Sequence, residues 1–265
     1  TAAEVGCNTF LLEKGNELGG LASLISRIPA KNRLADFPHY LMHRAEQLEN
    51  LYIFKNTEGT PENIRKFHPN IIVSSTGSAP LLPPITGLKD RIDNENYNIY
   101  SILGMISHIN DFPKDLEGKK VVVVGGGAVG LDVVEFFADR NADISIVEMM
   151  DQIGRDLDPV SKNDTKTMMK KHNVHQLTKT ALLEVKDSSF LVKGDGEPYE
   201  LPFEYGFVCL GMRAQGQLYQ NLTEEFSSED VEIMNIGDSQ RARRIIDGTQ
   251  EGRNILTILE QRGYL

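Results

Sequence analysis

At 265 residues the chain is long enough for one large or two medium domains, and its 40% hydrophobic and 25% charged content is ordinary for a globular protein. A formal net charge of −10 argues against a nucleic-acid or anionic-membrane partner. No apolar run approaches the ~20 residues that span a bilayer, no signal-peptide pattern opens the chain, and Cys7 and Cys209 form no CxxC or CxxxxC pair; the reading is a reduced, cytoplasmic protein.

Strand-like and helix-like segments alternate almost throughout, the pattern of an α/β fold with largely parallel sheets. Residues 1–7 read as the tail of a helix and 8–13, ending in Glu13, as a strand; the pair Gly19-Gly20 follows. Leu34, Phe37, Leu41, Ala45 and Leu48 predict a helix over 34–50, ahead of a short strand at 51–54. Thr60-Pro61 opens a helix, NIIVSSTG at 70–77 is a strand running into Thr76-Gly77, and APLLPPITGL is a loop. Residues 101–110 read as helical. Past Asp158-Pro159, a cap and first turn, a helix runs to about 172. Several short strands then lead to YGFVCLGMR, which contains Gly211. The strand VEIMNIGD, ending in Gly237-Asp238, precedes a terminal helix from about 246. No repeat of 20–50 residues is present, but two sections share a coarse order: strand, acid, helix, then a strand ending in glycine.

The strongest motif is VVVVGGGAVGLDVVEFF. Four consecutive valines suit a parallel strand covered on both faces. Gly125, Gly127 and Gly130 then satisfy GxGxxG, with Gly126, Ala128 and Val129 between them. Gly125 permits the tight turn, Gly127 lets backbone N–H groups approach a pyrophosphate, and Gly130 lets the helix pack closely on the strand. The strand ADISIVE ends at Glu148, 23 residues after Gly125, near the spacing of a ribose-binding acid. A carboxylate there pairs with a free 2′-hydroxyl and repels a 2′-phosphate, so NADH is preferred over NADPH; Met149-Met150 bring no cation, although Arg155 could swing back.

The chain resembles the paired dinucleotide-binding region of two-dinucleotide flavoproteins. It is most similar to that of the NADH:flavin oxidoreductase group, which includes 2,4-dienoyl-CoA reductase, 2-enoate reductase and trimethylamine dehydrogenase. The resemblance is carried by LLEKGNELGG, IIVSSTGSAPLLPPITG, GKKVVVVGGGAVGLDVVEFFADRNADISIVE, FVCLGMR and IMNIGDSQRARRIIDGTQEG, in an order covering residues 1 to about 258. It implies two Rossmann-like domains, the NAD-type inserted into the FAD-type. The expected boundaries are FAD-type segments at 1–113 and 228–265 around an NADH-binding domain at 114–227. Glu13 would hold the FAD ribose, Gly19-Gly20 and Thr76-Gly77 would pass beside FAD, Asp238 after Gly237 would meet the ribitol, and Gly211 would do for NADH what Gly77 does for FAD. Hydride would pass from NADH to FAD and electrons onward to a partner centre. Because the glycine turn expected before Glu13 does not occur within residues 1–12, the first strand and turn of the FAD unit are expected ahead of Thr1. The resemblance also implies a flavin-bearing barrel with FMN and an iron–sulfur cluster outside these residues. A non-catalytic pair of domains holding ADP is the alternative, and a homo-oligomer is left open.

Other constellations carry less. His39 and His43, four apart on a helix, lack the Glu of HExxH and a third ligand and read as a solvated face. Ser74, Ser75 and Ser78 sit in no GxSxG, RARR at 241–244 reads as a helix-entry loop, and Met168-Met169 as helix core. Hydride transfer needs no acid–base residue, so no catalytic side chain is assigned.

Overall fold

The computed structural model describes residues 1–265. In chain order it begins with a 3-10 turn (Ala3–Val5), β1 (Thr9–Leu12), α1 (Gly20–Ile25), a 3-10 stretch (Pro29–Ala35), α2 (Asp36–Glu46), β2 (Leu51–Phe54), α3 (Pro61–Arg65), β3 (Ile71–Ser74) and β4 (Ser78–Pro80). There follow α4 (Leu88–Arg91), β5 (Ile99–Tyr100), α5 (Ile102–Ser107), β6 (Lys120–Val124), α6 (Ala128–Ala138), β7 (Asp143–Val147), α7 (Pro159–Lys171) and β8 (His175–Leu177). Then come β9 (Ala181–Val185), β10 (Ser189–Lys193), β11 (Tyr199–Pro202), β12 (Tyr205–Val208), β13 (Met212–Ala214), α8 (Gln217–Glu225), β14 (Glu232–Asn235), α9 (Ile245–Arg253) and α10 (Ile255–Gln261). No helix is long and apolar enough to cross a membrane.

The chain forms two compact units. Unit 1 comprises Thr1–Ser26, Lys31–Ala79 and Met212–Leu265, and unit 2 comprises Arg27–Ala30 and Pro80–Gly211, so unit 2 is inserted into unit 1. The breaks fall at 79/80 and 211/212, not at the expected 113/114 and 227/228. Packing explains both shifts. Residues 80–113 bring Leu88, Ile92 and Ile99 into the core of unit 2, whereas α8 turns Leu222 onto Ile72 of unit 1.

Unit 2 is built on a five-stranded sheet of order β5-β12-β6-β7-β8, with every pair parallel. The valines of β6 are buried on both faces, which is why the run is continuous and not alternating. On one face Phe137 of α6 meets Phe207 of β12 at 4.8 Å and Phe112 at 5.2 Å. On the other, Val122, Val124 and Val208 pack on Val185, Phe190 and Val192 of an antiparallel meander, β9-β10-β11. Gly206 is required there, since a Cβ would lie 2.7 Å from both the Phe190 and Phe203 rings.

Unit 1 is thinner. β1 pairs in parallel with β2, and β3 with β14, as two separate two-stranded sheets, while β4 pairs with β13. Its buried apolar residues are Ala3, Pro38, Ile72, Leu222, Phe226, Ile255 and Leu259. Phe10 stacks on Tyr52, and Phe10 and Phe54 lie tilted against Phe67, yet Phe10, Tyr52 and Phe54 stay substantially exposed. The expected helix over 34–50 is a 3-10 stretch leading into α2, and Leu34, Phe37 and Leu41 lie at the surface. The terminal helix is interrupted at Asn254 into α9 and α10.

Candidate dinucleotide-binding sites

β6 delivers the chain into Gly125, whose φ of 111° lies in the left-handed region and whose Cβ, if present, would sit 2.1 Å from the Cys209 carbonyl oxygen. Gly125 donates its N–H to the Val147 carbonyl at 2.8 Å, which joins the turn to the end of β7. Gly130 is fixed by a second clash: a Cβ there would lie 1.9 Å from the Gly125 oxygen. Gly127 differs from both, because nothing lies within 4 Å of its Cβ direction and it is exposed together with Ala128. It is also the N-cap of α6, and Leu131 is the first residue to donate back to it, at 3.0 Å. The N–H groups of Ala128, Val129 and Gly130 are therefore the unpaired first donors of an eleven-residue helix, beside open space. Such an arrangement can cradle a pyrophosphate. Gly211, with φ of 101°, leaves β12 at the same end of the sheet, where Cys209 N–H donates to the Val124 carbonyl at 2.7 Å.

Glu148 closes β7 and turns back onto this loop. Its Oε2 accepts the Gly126 N–H and its Oε1 the Met150 N–H, both at 2.7 Å. Each oxygen keeps acceptor capacity for a sugar hydroxyl. The backbone of Glu148 is clamped as well: its N–H donates to Leu177 and its carbonyl accepts from Thr180, both at 2.9 Å. Lys179, with φ of 52°, donates to the Met150 carbonyl at 2.9 Å, and Thr180 Oγ1 donates to Thr178.

The same frame recurs in unit 1. Glu13 closes β1 beside the parallel strand β2, donates its N–H to Phe54 and accepts from Thr57, both at 2.9 Å. Asn56, with φ of 53°, donates to the Gly15 carbonyl at 2.9 Å, and Thr57 Oγ1 donates to Lys55. Glu13 Oε1 accepts the Gly15 N–H at 2.6 Å, as Glu148 Oε1 accepts that of Met150. One bond has no counterpart. No glycine-turn N–H reaches Glu13 as Gly126 reaches Glu148. Motif reading missed this frame; its sequence trace is FKNT against LTKT, a short strand closed three residues later by threonine.

Four other expected residues of unit 1 come together at one end of the β3–β14 pair. Thr76 Oγ1 donates to the Gln215 carbonyl at 2.6 Å, and Gly77 accepts the Gln215 N–H at 2.9 Å. Asp238 accepts from Ser78 Oγ and from the Arg243 N–H, each at 3.0 Å. Gly237 donates to Glu251 Oε2 at 2.7 Å, and Glu251 Oε1 pairs with Arg243 at 2.5 Å. The Gly237 N–H, and then the Arg243 guanidinium, hold the Glu251 carboxyl below the usual carboxylate range. Glu13, Gly19 and Gly20 share no hydrogen bond with this group. Gly19 caps α1, where a Cβ would strike Ser23, and Gly20 faces open space. Neither cysteine is in a disulfide, and burial pushes the Cys209 thiol up to about 12, so it is no thiolate nucleophile.

Residues 47–234 match the family described as pyridine nucleotide-disulphide oxidoreductase, to which the chain therefore belongs. It is 26% identical to an NADH oxidase of Thermoanaerobacter brockii over 95% of this chain and 37% of that protein. It is also 26% identical to a metal reductase of Desulforamulus reducens over 96% of this chain and 40% of that protein. The chain thus spans about two fifths of the length of these curated relatives. Among solved structures, 2-naphthoyl-CoA reductase in complex with 2-naphthoyl-CoA superposes with a TM-score of 0.79 at 22% identity, over 95% of this chain and 36% of that one. That likeness establishes the α/β fold, and the family match makes it the FAD/NAD-binding fold of that family.

Proposed function

We propose that unit 2 binds NADH and unit 1 binds FAD, as a cytoplasmic flavoprotein module. The observation that carries this is the matched frame around Glu13 and Glu148, two carboxylates held alike at the ends of parallel strands. When bound, the nucleotides would supply the chemistry, hydride transfer from NADH to FAD, with a flavin and iron–sulfur centre outside residues 1–265 as the onward electron acceptor.

The chain's own work is placement. The N–H groups of Ala128, Val129 and Gly130 meet the NADH pyrophosphate across the space that Gly127 leaves, and Glu148 accepts from the adenosine ribose. Thr76, Gly77 and Asp238 border the flavin and ribitol, while Glu13 accepts from the FAD ribose. The fit is fuller in unit 2. Unit 1 contains no strand, glycine turn and helix matching β6, Gly125–Gly130 and α6.

Anaerobic titration with NADH in the presence of added FAD tests the reading by flavin bleaching. NADH-dependent bleaching that is lost in Gly127→Val supports it. FAD is added to saturation because unit 1 is expected to hold it weakly; binding of ADP with no bleaching even then would favour a structural nucleotide pair instead.

A further inference from the structure

We propose that Gly126 is a specificity-positioning residue for the nicotinamide nucleotide and acts through Glu148. The proposal deepens, and rests on, the assignment of NADH to unit 2. The four glycines of the turn are required for different reasons. Gly125 and Gly130 are each excluded from carrying a side chain by backbone, at 2.1 Å and 1.9 Å. Gly127 faces open space. Gly126 has neither a left-handed φ nor a backbone clash. The three atoms nearest a Cβ at 126 all belong to one side chain: Glu148 Oε2 at 2.9 Å, Cβ at 3.1 Å and Cγ at 3.2 Å.

The contact is tight along most of the Glu148 side chain, so it cannot be relieved by rotating the carboxylate tip alone. Gly126 also donates the N–H that holds Oε2, and its carbonyl accepts the Gly154 N–H at 2.7 Å, which ties it to the loop beyond the acid. A methyl group at 126 must therefore push the Glu148 side chain, carboxylate included, off its present position or lift the turn. With the carboxylate displaced, the 2′-hydroxyl of NADH loses its acceptor and the 2′-phosphate of NADPH loses its repulsion. The absent side chain at 126 sets where the discriminating charge stands.

The test is a set of NADH and NADPH dissociation constants for the whole chain and for Gly126→Ala, Gly127→Ala, Glu148→Ala and the double variant Gly126→Ala/Glu148→Ala. Gly126→Ala is expected to lower the NADH:NADPH preference about tenfold, the factor that displacing one like charge from a phosphate supports. Gly127→Ala is expected to weaken both nucleotides alike, because it blocks the shared pyrophosphate. In the Glu148→Ala background, Gly126→Ala should leave the preference unchanged within about twofold, since the group it acts through is gone. Equal weakening of both nucleotides by Gly126→Ala, or the same change of preference with and without Glu148, overturns the proposal. If Gly126→Ala does not fold, Gly126→Ser takes its place with the same expectation, and an unchanged preference in Glu148→Ala overturns the proposal in either case. A wild-type chain that binds neither nucleotide rejects the NADH assignment itself; NADH binding without the coupling rejects only the role of Gly126.

Discussion

At the scale of single residues, charge and burial decide more than residue type. Glu148 presents a carboxylate held by two backbone N–H groups at the end of β7, the position from which we propose it reads a nucleotide's 2′ substituent. NADH is expected to bind at least ~10-fold more tightly than NADPH, about 1.4 kcal/mol, and Glu148→Ala to remove most of that gap. Equal affinities in the wild-type chain would refute the role. The two cysteines separate in the same way. Cys209 is buried with its thiol pushed up to about 12, while Cys7 is partly exposed, so a disulfide-exchange reagent at pH 8 is expected to label one thiol in the folded chain and two in denaturant. Rapid labelling of both would show that the β12 end opens readily. Of the residues around the sites, the glycines and Glu148 were legible in the sequence because their constraints are local: a turn, a close approach, a strand end. Met150, Lys179 and Thr180 were not legible, because the clamp they form on Glu148 closes across some thirty residues and uses backbone groups that every residue type carries.

Whole elements were legible to the degree that their burial is complete. The valines of β6 announced a doubly covered strand, and Asp158 and Thr60 announced the starts of α7 and α3 by accepting first-turn N–H groups. The meander β9-β10-β11 read only as several short strands, since its role comes from Phe190 and Phe203 packing onto Gly206, a contact no periodicity encodes. The apolar stripe running into α2 misled in the other direction: Leu34, Phe37 and Leu41 have helical spacing but stay 37–47% exposed. α9 offers a test at this scale. Glu251, near its end, holds the Gly237 turn through an N–H bond and pairs with Arg243. Its folded pKa is depressed, so its contribution to stability is present above the ordinary carboxylate pKa of about 4.3 and is lost as pH falls through the folded value. Glu251→Gln is expected to lower the urea midpoint at neutral pH and to flatten its decline on acidification. A parallel decline in both proteins would show that the Gly237 turn is held by other contacts.

For the whole molecule, the two units are unequal in a way that bears on what they hold. Unit 2 contains a strand, glycine turn, helix and acid within residues 119–148, over a core that encloses all four β6 valines. In its sheet β6 stands between β12 and β7. Unit 1 has the strand bearing Glu13 and the strand leading to Gly77, but each belongs to a separate two-stranded sheet, and no strand with a glycine turn joins them. FAD carries a doubly charged pyrophosphate that such a turn and the helix start behind it would meet. The contacts left to unit 1, from Glu13, Thr76, Gly77 and Asp238, are single hydrogen bonds worth about 1 kcal/mol each net. Immobilising a large, flexible cofactor costs more than a few of these supply. Residues 1–265 purified alone are therefore expected to be colourless or sub-stoichiometric in flavin, yet to bind NADH or ADP at Gly125–Gly130. The measurement is the flavin absorbance of the gel-filtered chain alongside equilibrium dialysis against labelled ADP. One tightly held FAD per chain would refute the expectation and require a pyrophosphate cradle from another part of unit 1 or from a second copy of the chain.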